Sequence, residues 1–394
     1  AGTLSLKPLI THQYELHDAA SAYQAIQDDP SSLGVLLTYP EHCDASRTIA
    51  LPASRPTVAA ERLTAAVIGA GNFTRATLMP ALSKLPLRIK YVVGRTGGAA
   101  VQHVAQKFAA EQATTDLSRA LEDPEVNLVL VTTNHDSHAS LVRQSLAAGK
   151  HVFVEKPLAL KLAEIESIKQ TVASEAGRQL MVGYNRRFSP HVQKCQQLLK
   201  GRAEPLAINF LINAGAIPAD HWVHDSSKGG GRIIGEACHF IDLAQALTGS
   251  LVRSVSAQRM GSGPAIRDDK MSITLAMQDG SVASISYFAN GSKSFPKESV
   301  TIFSDNRVLV IDNFRVTVGY DFTGFRRYKT SRQEKGHSQQ FAALVNSLSL
   351  GGEWLIPFEQ LVNSAQASIA AVLAAHTERV SKLDELLEEI KTGE

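Results

Sequence analysis

The 394-residue sequence has few cysteines, few aromatic residues and almost no excess of charge of either sign. Its three cysteines, Cys43, Cys195 and Cys238, lie far apart without metal-ligand spacing. This pattern indicates neither a disulfide framework nor a zinc site, and it is typical of a reducing compartment. Forty lysines and arginines against 38 acidic residues form no basic block. We therefore predict small-molecule partners, no nucleic-acid partner and no bound metal.

Long apolar runs are also missing. No apolar stretch approaches the roughly 18 residues of a membrane span, and the N-terminus lacks the basic and apolar segments of a signal peptide. We therefore expect a soluble, cytoplasmic protein that does not contact a membrane. The length exceeds the roughly 250 to 300 residues over which a single core usually grows, so the sequence predicts two domains.

From residue 63 onward, short apolar runs alternate with helix-length segments, a pattern typical of parallel βαβ units. The predicted strands of this part are 65–68, 89–93, 128–132, 151–154 and 180–182. After residue 184 the runs become longer, and the turn sequences QDG and SDN separate neighbouring runs, which indicates a mainly antiparallel sheet. Those strands are 206–212, 254–259, 271–277, 282–288, 299–303 and 307–311, and segments with helical apolar spacing close the chain.

The predicted fold class is therefore α/β followed by α+β. A Rossmann dinucleotide-binding domain is expected at 61–184. An α+β domain with a mainly antiparallel open sheet and C-terminal helices is expected at 185–394, where it would supply substrate and subunit contacts.

A glycine-rich turn lies between the first predicted strand and a helical segment. Gly69 permits a tight turn, and Gly71 lets the backbone approach a pyrophosphate at the helix N-terminus, with Asn72 and Phe73 beside it. Thr74 stands where a third small residue is usual, and its bulk weakens the match. Because this turn opens a βαβ series, we predict a dinucleotide site.

The end of the second predicted strand carries no carboxylate for the ribose hydroxyls of NAD. It presents Arg95, which can pair with a 2′-phosphate, stack on adenine or lie solvated in a turn. Both NAD and NADP are therefore compatible cofactors at this point.

Three later segments occur in a fixed order: EKP (155–157), MVGYNRRFSP (181–190) and GGGRIIGEACHFIDL (229–243). Together with the glycine turn they resemble the Gfo/Idh/MocA family of glucose-fructose oxidoreductase, inositol dehydrogenase and rhizopine-catabolism proteins, over about residues 63–373. The resemblance implies an NAD(P)-dependent oxidoreductase that acts on a sugar, sugar nucleotide or related polyol and forms a homodimer or homotetramer.

The resemblance also implies catalytic residues. Lys156 matches the lysine near the nicotinamide and the reacting hydroxyl, before a proline whose peptide bond is often cis, and is expected to contact the cofactor as well. His239 matches its acid–base partner, and it and Glu236 are also expected to contact the substrate. Many relatives carry an aspartate four residues before this histidine, where this sequence has Gly235. We expect Glu236 to take over the role of that aspartate.

Further positions are carried over from the family with alternatives. Thr133, Asn134, His138 and Glu155 are expected beside the nicotinamide half of the cofactor, and a structural role for His138 is an equal alternative. Arg187, Trp222 and His224 are expected to bind substrate, with simple packing as the alternative for Trp222. His221, Lys335 and His337 are further residues that can border the pocket.

The leading residues 4–40 resemble the C-terminal end of a zinc-type medium-chain alcohol dehydrogenase, with its strand, amphipathic helix and closing strand but without its nucleotide loop or metal ligands. We expect residues 1–60 to be a remnant of a two-domain fusion, ending in a linker at 51–63, and residues 1–55 to form a small appendage docked on the main body.

Three functions fit these observations. The first is a dehydrogenase in which Lys156 and His239 handle the hydroxyl proton. The second is an NAD-dependent glycosidase that oxidises a ring hydroxyl, eliminates the aglycone and returns the hydride. The third is a non-catalytic dinucleotide-binding sensor, which has no chemical need for both Lys156 and His239.

Overall fold

The computed structural model describes residues 5–40, 46–51, 63–95, 98–175, 177–261 and 269–386. The chain divides into a first unit, Ala1–Arg47, and a second unit, Thr48–Glu394. In the described ranges, no helix is long and apolar enough to cross a membrane.

The first unit is a single βαβ element. Strands β1 (His12–Glu15) and β2 (Val35–Thr38) pair in parallel, and helix α1 (Ala19–Asp28) connects them. The hydroxyl of Thr11 donates to the carbonyl of Gly34 and accepts from two backbone N–H groups, which fixes the return of the chain beside β1.

The first sheet of the second unit has seven strands in the order β3-β6-β5-β4-β7-β8-β9. Six strands run in parallel, and β3 joins the edge antiparallel to β6. The strands are β3 (Thr48–Ala50), β4 (Leu63–Ile68), β5 (Leu87–Val93), β6 (Gln112–Thr114), β7 (Leu128–Val131), β8 (His151–Val154) and β9 (Leu180–Val182). The helices are α2 (Met79–Leu82), α3 (Gly98–Lys107), α4 (Leu117–Leu121), α5 (His138–Ala147) and α6 (Leu162–Ser174).

The central strands of this sheet are apolar because both of its faces are covered. All four residues of β7, with the sequence LVLV, are buried, as expected for a parallel sheet with both faces covered. The chain leaves β4 toward β5 on one side and resumes at β7 on the other. The carboxyl ends of β4 and β7 therefore flank the crevice in which such sheets bind ligands.

The edge strand β3 comes from the segment that the sequence analysis assigned to the leading 60 residues. Ile49 pairs with Ala113, and the hydroxyls of Thr48 and Thr114 lie 2.8 Å apart. Of the linker expected at 51–63, residues 52–62 lie outside the described part of the chain.

The second sheet has nine strands in the order β17-β16-β15-β14-β10-β13-β12-β11-β18. The pair β10–β13 is parallel, and the other described pairs are antiparallel. The strands are β10 (Ala207–Asn213), β11 (Val252–Arg259), β12 (Lys270–Met277), β13 (Val282–Phe288), β14 (Glu298–Ser304), β15 (Arg307–Asp312), β16 (Val316–Tyr320), β17 (Arg327–Lys329) and β18 (Ser381–Lys382). The helices are α7 (Pro190–Leu198), α8 (Cys238–Thr248), α9 (His337–Ser349) and α10 (Phe358–Thr377).

One face of this sheet packs on helices. Alternate residues of β10 and β12 are buried, and α10 contacts both α8 and β11. The turn between β14 and β15 places Asp305 and Asn306 at φ values of 47° and 59°, as a two-residue hairpin turn requires. The predicted fold class, a Rossmann domain followed by a domain with a mainly antiparallel sheet, is confirmed.

Candidate active site

The glycine turn after β4 has the geometry that the sequence predicts. Gly69 has a φ of +107°, and its N–H donates to the carbonyl of Val93 at 2.8 Å. A Cβ atom at Gly69 would lie 2.8 Å from the carbonyl oxygen of Thr132, so a side chain does not fit. A Cβ atom at Gly71 would meet no described atom within 4 Å. The backbone at Gly71 therefore borders open space that a pyrophosphate can approach.

Thr74, which replaces the usual third small residue, is fully buried without disturbing the turn. It begins a π-helical turn, Thr74–Leu78, that leads into α2. Its hydroxyl lies 2.9 Å from the carbonyl oxygen of Gly69 and 2.7 Å from the hydroxyl of Thr132. Thr74 therefore joins the glycine turn to the end of β7 by hydrogen bonds.

Alanine substitutions at the two glycines are expected to separate folding from nucleotide binding. Gly69→Ala forces a side chain into positive φ and against a carbonyl, so we expect a loss of stability of about 1–2 kcal/mol from the backbone alone and weak NADH binding. Gly71→Ala should keep the wild-type melting temperature and still bind NADH about tenfold more weakly, because its methyl group occupies the approach of the pyrophosphate. Thermal melting without nucleotide and NADH fluorescence titration check both variants. Wild-type NADH affinity in Gly71→Ala would contradict this placement.

The loop after β7 brings together the residues expected beside the nicotinamide. Asn134 is exposed, and the hydroxyl of Thr133 lies 2.6 Å from that of Ser137 at the start of α5. His138 is buried, with Nδ1 2.7 Å from the carbonyl oxygen of Pro157 and Nε2 3.1 Å from that of Thr133. Burial lowers the pKa of His138. Its contacts support the structural alternative, in which the ring connects the loops after β7 and β8.

Lys156 and His239 lie at the centre of the site. Lys156 follows β8, and its peptide bond to Pro157 is cis, as the family resemblance implies. Its Nζ donates to the carbonyl oxygen of Gly235 at 2.7 Å, one turn before His239 near the start of α8. Burial, followed by the positive charges of Arg186 and Lys156, holds the pKa of His239 well below its usual value. The imidazole is therefore neutral at pH 7, and its buried Nδ1 has no partner among the described residues.

Glu236 is held as an ionised carboxylate. Arg232 donates to it from Nε at 3.1 Å and from Nη2 at 3.0 Å, and the hydroxyl of Tyr287 donates at 2.6 Å. Burial alone would raise the pKa of Glu236, but these donors and the charge of Lys156 lower it to about 2. Because both of its oxygens already accept hydrogen bonds from Arg232 and Tyr287, whereas Nδ1 of His239 has no described partner, this carboxylate is a fixed hydrogen-bond acceptor rather than the base.

Arg187 is committed to contacts within the protein. Its Nε and Nη2 donate to both carboxylate oxygens of Asp242 at 3.0 and 2.6 Å, and its Nη1 donates to Gln360 at 3.1 Å. Asp242 is fully buried on α8, about one turn after His239. The arginine therefore fixes the helix that carries His239.

The neighbouring Arg186 belongs to a different ion-pair network. Its Nε and Nη2 donate to the two carboxylate oxygens of Glu298, which also accepts from Lys335 at 2.6 Å. His337 follows at the start of α9, with its ring 6.3 Å from that of Phe73. Burial and the charges of Arg186 and Lys335 lower the pKa of His337 to about 4. Lys335 and His337 thus lie close enough to influence the charge at His239.

Glu155 and Arg95 differ sharply in environment. Burial raises the pKa of Glu155 to about 7 despite the charge of Lys156, and the carboxylate lies where a side chain at Gly183 would be. Arg95, at the end of β5, is exposed.

The loop after β7 contains a residue that the sequence did not indicate, His135, which contacts the loop around Trp222. Trp222 and His224 form a 3₁₀ turn beside the buried Val223. The Trp222 ring packs edge-on against His135 at 4.8 Å between ring centroids, and the ring centroid of His221 lies 5.8 Å from that of Trp222. His135 sits between the predicted Asn134 and His138, yet nothing local to the motif distinguishes it from a loop residue.

The chain matches known proteins over both halves of this site. Residues 63–184 match an oxidoreductase family with an NAD-binding Rossmann fold, and residues 201–311 match the GFO/IDH/MocA C-terminal domain. The 4-carboxy-2-hydroxymuconate-6-semialdehyde dehydrogenase of Sphingobium sp. is 30% identical over 246 residues, covering 57% of this chain and 71% of that protein. The scyllo-inositol 2-dehydrogenase (NAD(+)) of Bacillus subtilis is 29% identical over 194 residues, covering 48% of this chain and 55% of that protein.

A solved structure shares the fold over most of the chain. The levoglucosan dehydrogenase in complex with NADH and levoglucosan superposes with a TM-score of 0.72 at 21% identity, covering 82% of this chain and 99% of that one. None of these comparisons supports the expected resemblance of residues 4–40 to a zinc-type alcohol dehydrogenase.

The fold and the paired motifs define an NAD(P)-dependent oxidoreductase. The chain belongs to the Gfo/Idh/MocA family.

Proposed function

We propose that the protein is a dehydrogenase that oxidises a secondary hydroxyl of a cyclic polyol or sugar. This proposal rests on the contact between Lys156 and the turn that precedes His239, because the two residues come from different halves of the second unit. The hydrogen bond from Lys156 Nζ to the carbonyl of Gly235, 2.7 Å long, joins the end of β8 to the turn that precedes α8.

The glycine turn fits a dinucleotide. Gly71 leaves the approach to its backbone open, and the tight turn at Gly69 has no room for a side chain. This turn would therefore hold the pyrophosphate. The nicotinamide supplies the hydride acceptor when the cofactor is bound. We propose NAD as the cofactor on the family match to an NAD-binding domain, and Arg95 remains the residue that would contact the 2′-phosphate of NADP.

Proton handling falls to the chain's own residues. We propose that Lys156 donates a hydrogen bond to the reacting hydroxyl oxygen while neutral His239 accepts its proton. The positive charges of Arg186 and Lys156, which lower the pKa of His239, also stabilise the negative charge that develops on this oxygen. Loss of the hydride and the proton from the substrate leaves a ketone.

The substrate class follows from the hydrogen-bonding groups around this pair. A polyol presents several hydroxyls, each of which donates and accepts. The carboxylate of Glu236 is a fixed acceptor between Arg232 and Tyr287, and partly exposed Trp222, packed against His135, offers an apolar ring surface. The inositol and levoglucosan dehydrogenases among the similar proteins are named for cyclic substrates of this kind.

The test is to identify nucleotide released on denaturation by mass spectrometry and then to follow reduction of added NAD or NADP at 340 nm. The substrate panel is myo-inositol, scyllo-inositol, levoglucosan and glucose. Turnover of a panel member with NAD supports the proposal. Aryl glycoside cleavage with tightly held NAD and no net reduction would overturn it in favour of the glycosidase, and no turnover of any compound would overturn it for this substrate class.

A further inference from the structure

Gly235 stands where many relatives carry an aspartate, and the space beyond it is filled by another residue. A Cβ atom at Gly235 would lie 2.8 Å from Cε1 and 3.3 Å from Nδ1 of His135. Real Cβ atoms do not make contacts as short as the first of these. The His135 ring therefore occupies the volume in which a side chain at 235 would begin.

Hydrogen bonding fixes the tautomer of His135. Its Nδ1 lies 2.7 Å from the carbonyl oxygen of Gly229, and because a carbonyl only accepts, Nδ1 carries the proton. Burial, followed by the charge of Lys156, lowers the pKa of His135 to about 3, so the ring is neutral at pH 7. Its Nε2 is consequently an acceptor, and it has no hydrogen-bond partner among the described residues.

The ring is held firmly in this orientation. Trp222 packs edge-on against it, and the ring centroid of His138 lies 5.6 Å away. Gly229, whose carbonyl accepts the hydrogen bond from Nδ1, has no room for a side chain because a Cβ there would lie 2.3 Å from the backbone of Val223. Two loops, after β7 and before α8, thus position one imidazole beside Gly235, the residue whose carbonyl binds Lys156.

We propose that His135 Nε2 accepts a hydrogen bond from a substrate hydroxyl next to the one that Lys156 contacts, in the place left by the missing aspartate. This inference rests on the proposed function, since it names a further substrate-binding residue of the same site. A neutral acceptor replaces a carboxylate at this place, and the negative charge near Lys156 is supplied by Glu236 instead.

A double-mutant cycle tests whether His135 occupies the volume that a side chain at position 235 would need, and it requires no substrate. Gly235→Asp is expected to lower the melting temperature by several degrees, because its Cβ meets the His135 ring. Adding His135→Ala should recover at least half of that loss, which gives a positive coupling between the two sites. Additive effects of the two substitutions would overturn the claim that His135 fills this volume.

Two substitutions of His135 test the acceptor. His135→Asn keeps a donor at the Nδ1 position and removes the acceptor, whereas His135→Gln keeps an acceptor near Nε2. With the best panel substrate, His135→Asn should lower kcat/KM about tenfold with an unchanged NADH dissociation constant, and His135→Gln should retain kcat/KM within about threefold of wild type.

Equal kcat/KM in wild type and His135→Asn would overturn this inference alone. Absence of wild-type turnover on the whole panel would overturn the proposed function instead, and the double-mutant cycle would still decide how His135 is placed. A parallel fall in NADH affinity in His135→Asn would assign the residue to the cofactor rather than to the substrate and would also overturn the inference.

Discussion

Lys156→Met is expected to lower kcat by about 10²- to 10⁴-fold, the range that a positioned acid–base group contributes. Methionine keeps the length and apolar stem of lysine but removes the N–H that donates to the carbonyl of Gly235 and the positive charge beside His239. Turnover is measured by NADH formation with the best substrate of the panel. NADH affinity should stay within about threefold of wild type, because the pyrophosphate site at Gly69 and Gly71 is unchanged.

Two variants control for charge and for folding. Lys156→Arg keeps a positive charge but places a planar group where a single ammonium fits, so its kcat should also fall. Lys169→Met removes a surface lysine that pairs with Glu166 at 2.7 Å and should leave kcat unchanged. Near wild-type kcat in Lys156→Met would remove Lys156 from the proton transfer.

Much of the fold was accessible from sequence because the long strands carry regular apolar patterns. The predicted run 282–288 has the bounds of β13, and 307–311 differs from β15 by a single residue at its end. The strands β6 and β18 contain only three and two residues and include polar ones, whereas the equally short β9 was predicted because its three residues are all apolar. Their pairing depends on neighbouring strands that the local sequence does not specify.

Only the site residues that lie in short local motifs could be predicted from the sequence. Lys156 and His239 were found from short motifs, whereas the partners of two adjacent arginines were not. Arg187 pairs with Asp242, and Arg186 pairs with Glu298, 112 residues later in the chain. Side chains that look alike in sequence thus receive different partners from the tertiary fold.

The role of His135 could not be predicted from local sequence either, because it depends on a distant residue that has no side chain. Its role depends on the absence of a side chain at Gly235, 100 positions away in sequence. The departure from the family at Gly235 was visible, but only the structure shows which residue occupies the space. Glu236, expected to replace the aspartate, is turned toward Arg232 and Tyr287.

Glu298→Ala is expected to lower the free energy of unfolding by about 3–5 kcal/mol, the cost of removing one partner from a buried ion pair. The Glu298 side chain is 1% exposed and accepts from Arg186 at 2.8 and 2.9 Å and from Lys335 at 2.6 Å. Alanine would leave buried Arg186 and partly buried Lys335 without their shared carboxylate. Urea denaturation followed by circular dichroism measures the loss.

An exposed pair provides the matched control for this loss. Glu166 pairs with Lys169 on α6, and both side chains are about one-third exposed. Glu166→Ala should therefore change the free energy of unfolding by at most about 1 kcal/mol. Equal effects of Glu166→Ala and Glu298→Ala would show that burial does not strengthen the requirement for the carboxylate.

The pH dependence of stability should identify the same carboxylate. Burial would raise the pKa of Glu298, but Arg186 and Lys335 outweigh it and lower the pKa to about 2 from the usual 4.5. Because the folded pKa lies below the unfolded one, this contribution to stability is complete above pH 4.5 and is lost as the pH falls toward 2. Glu298→Gln removes this proton uptake, so its stability should fall less steeply than that of wild type over this interval. An equally steep loss of stability with falling pH in the two proteins would mean that another group is responsible for the wild-type slope.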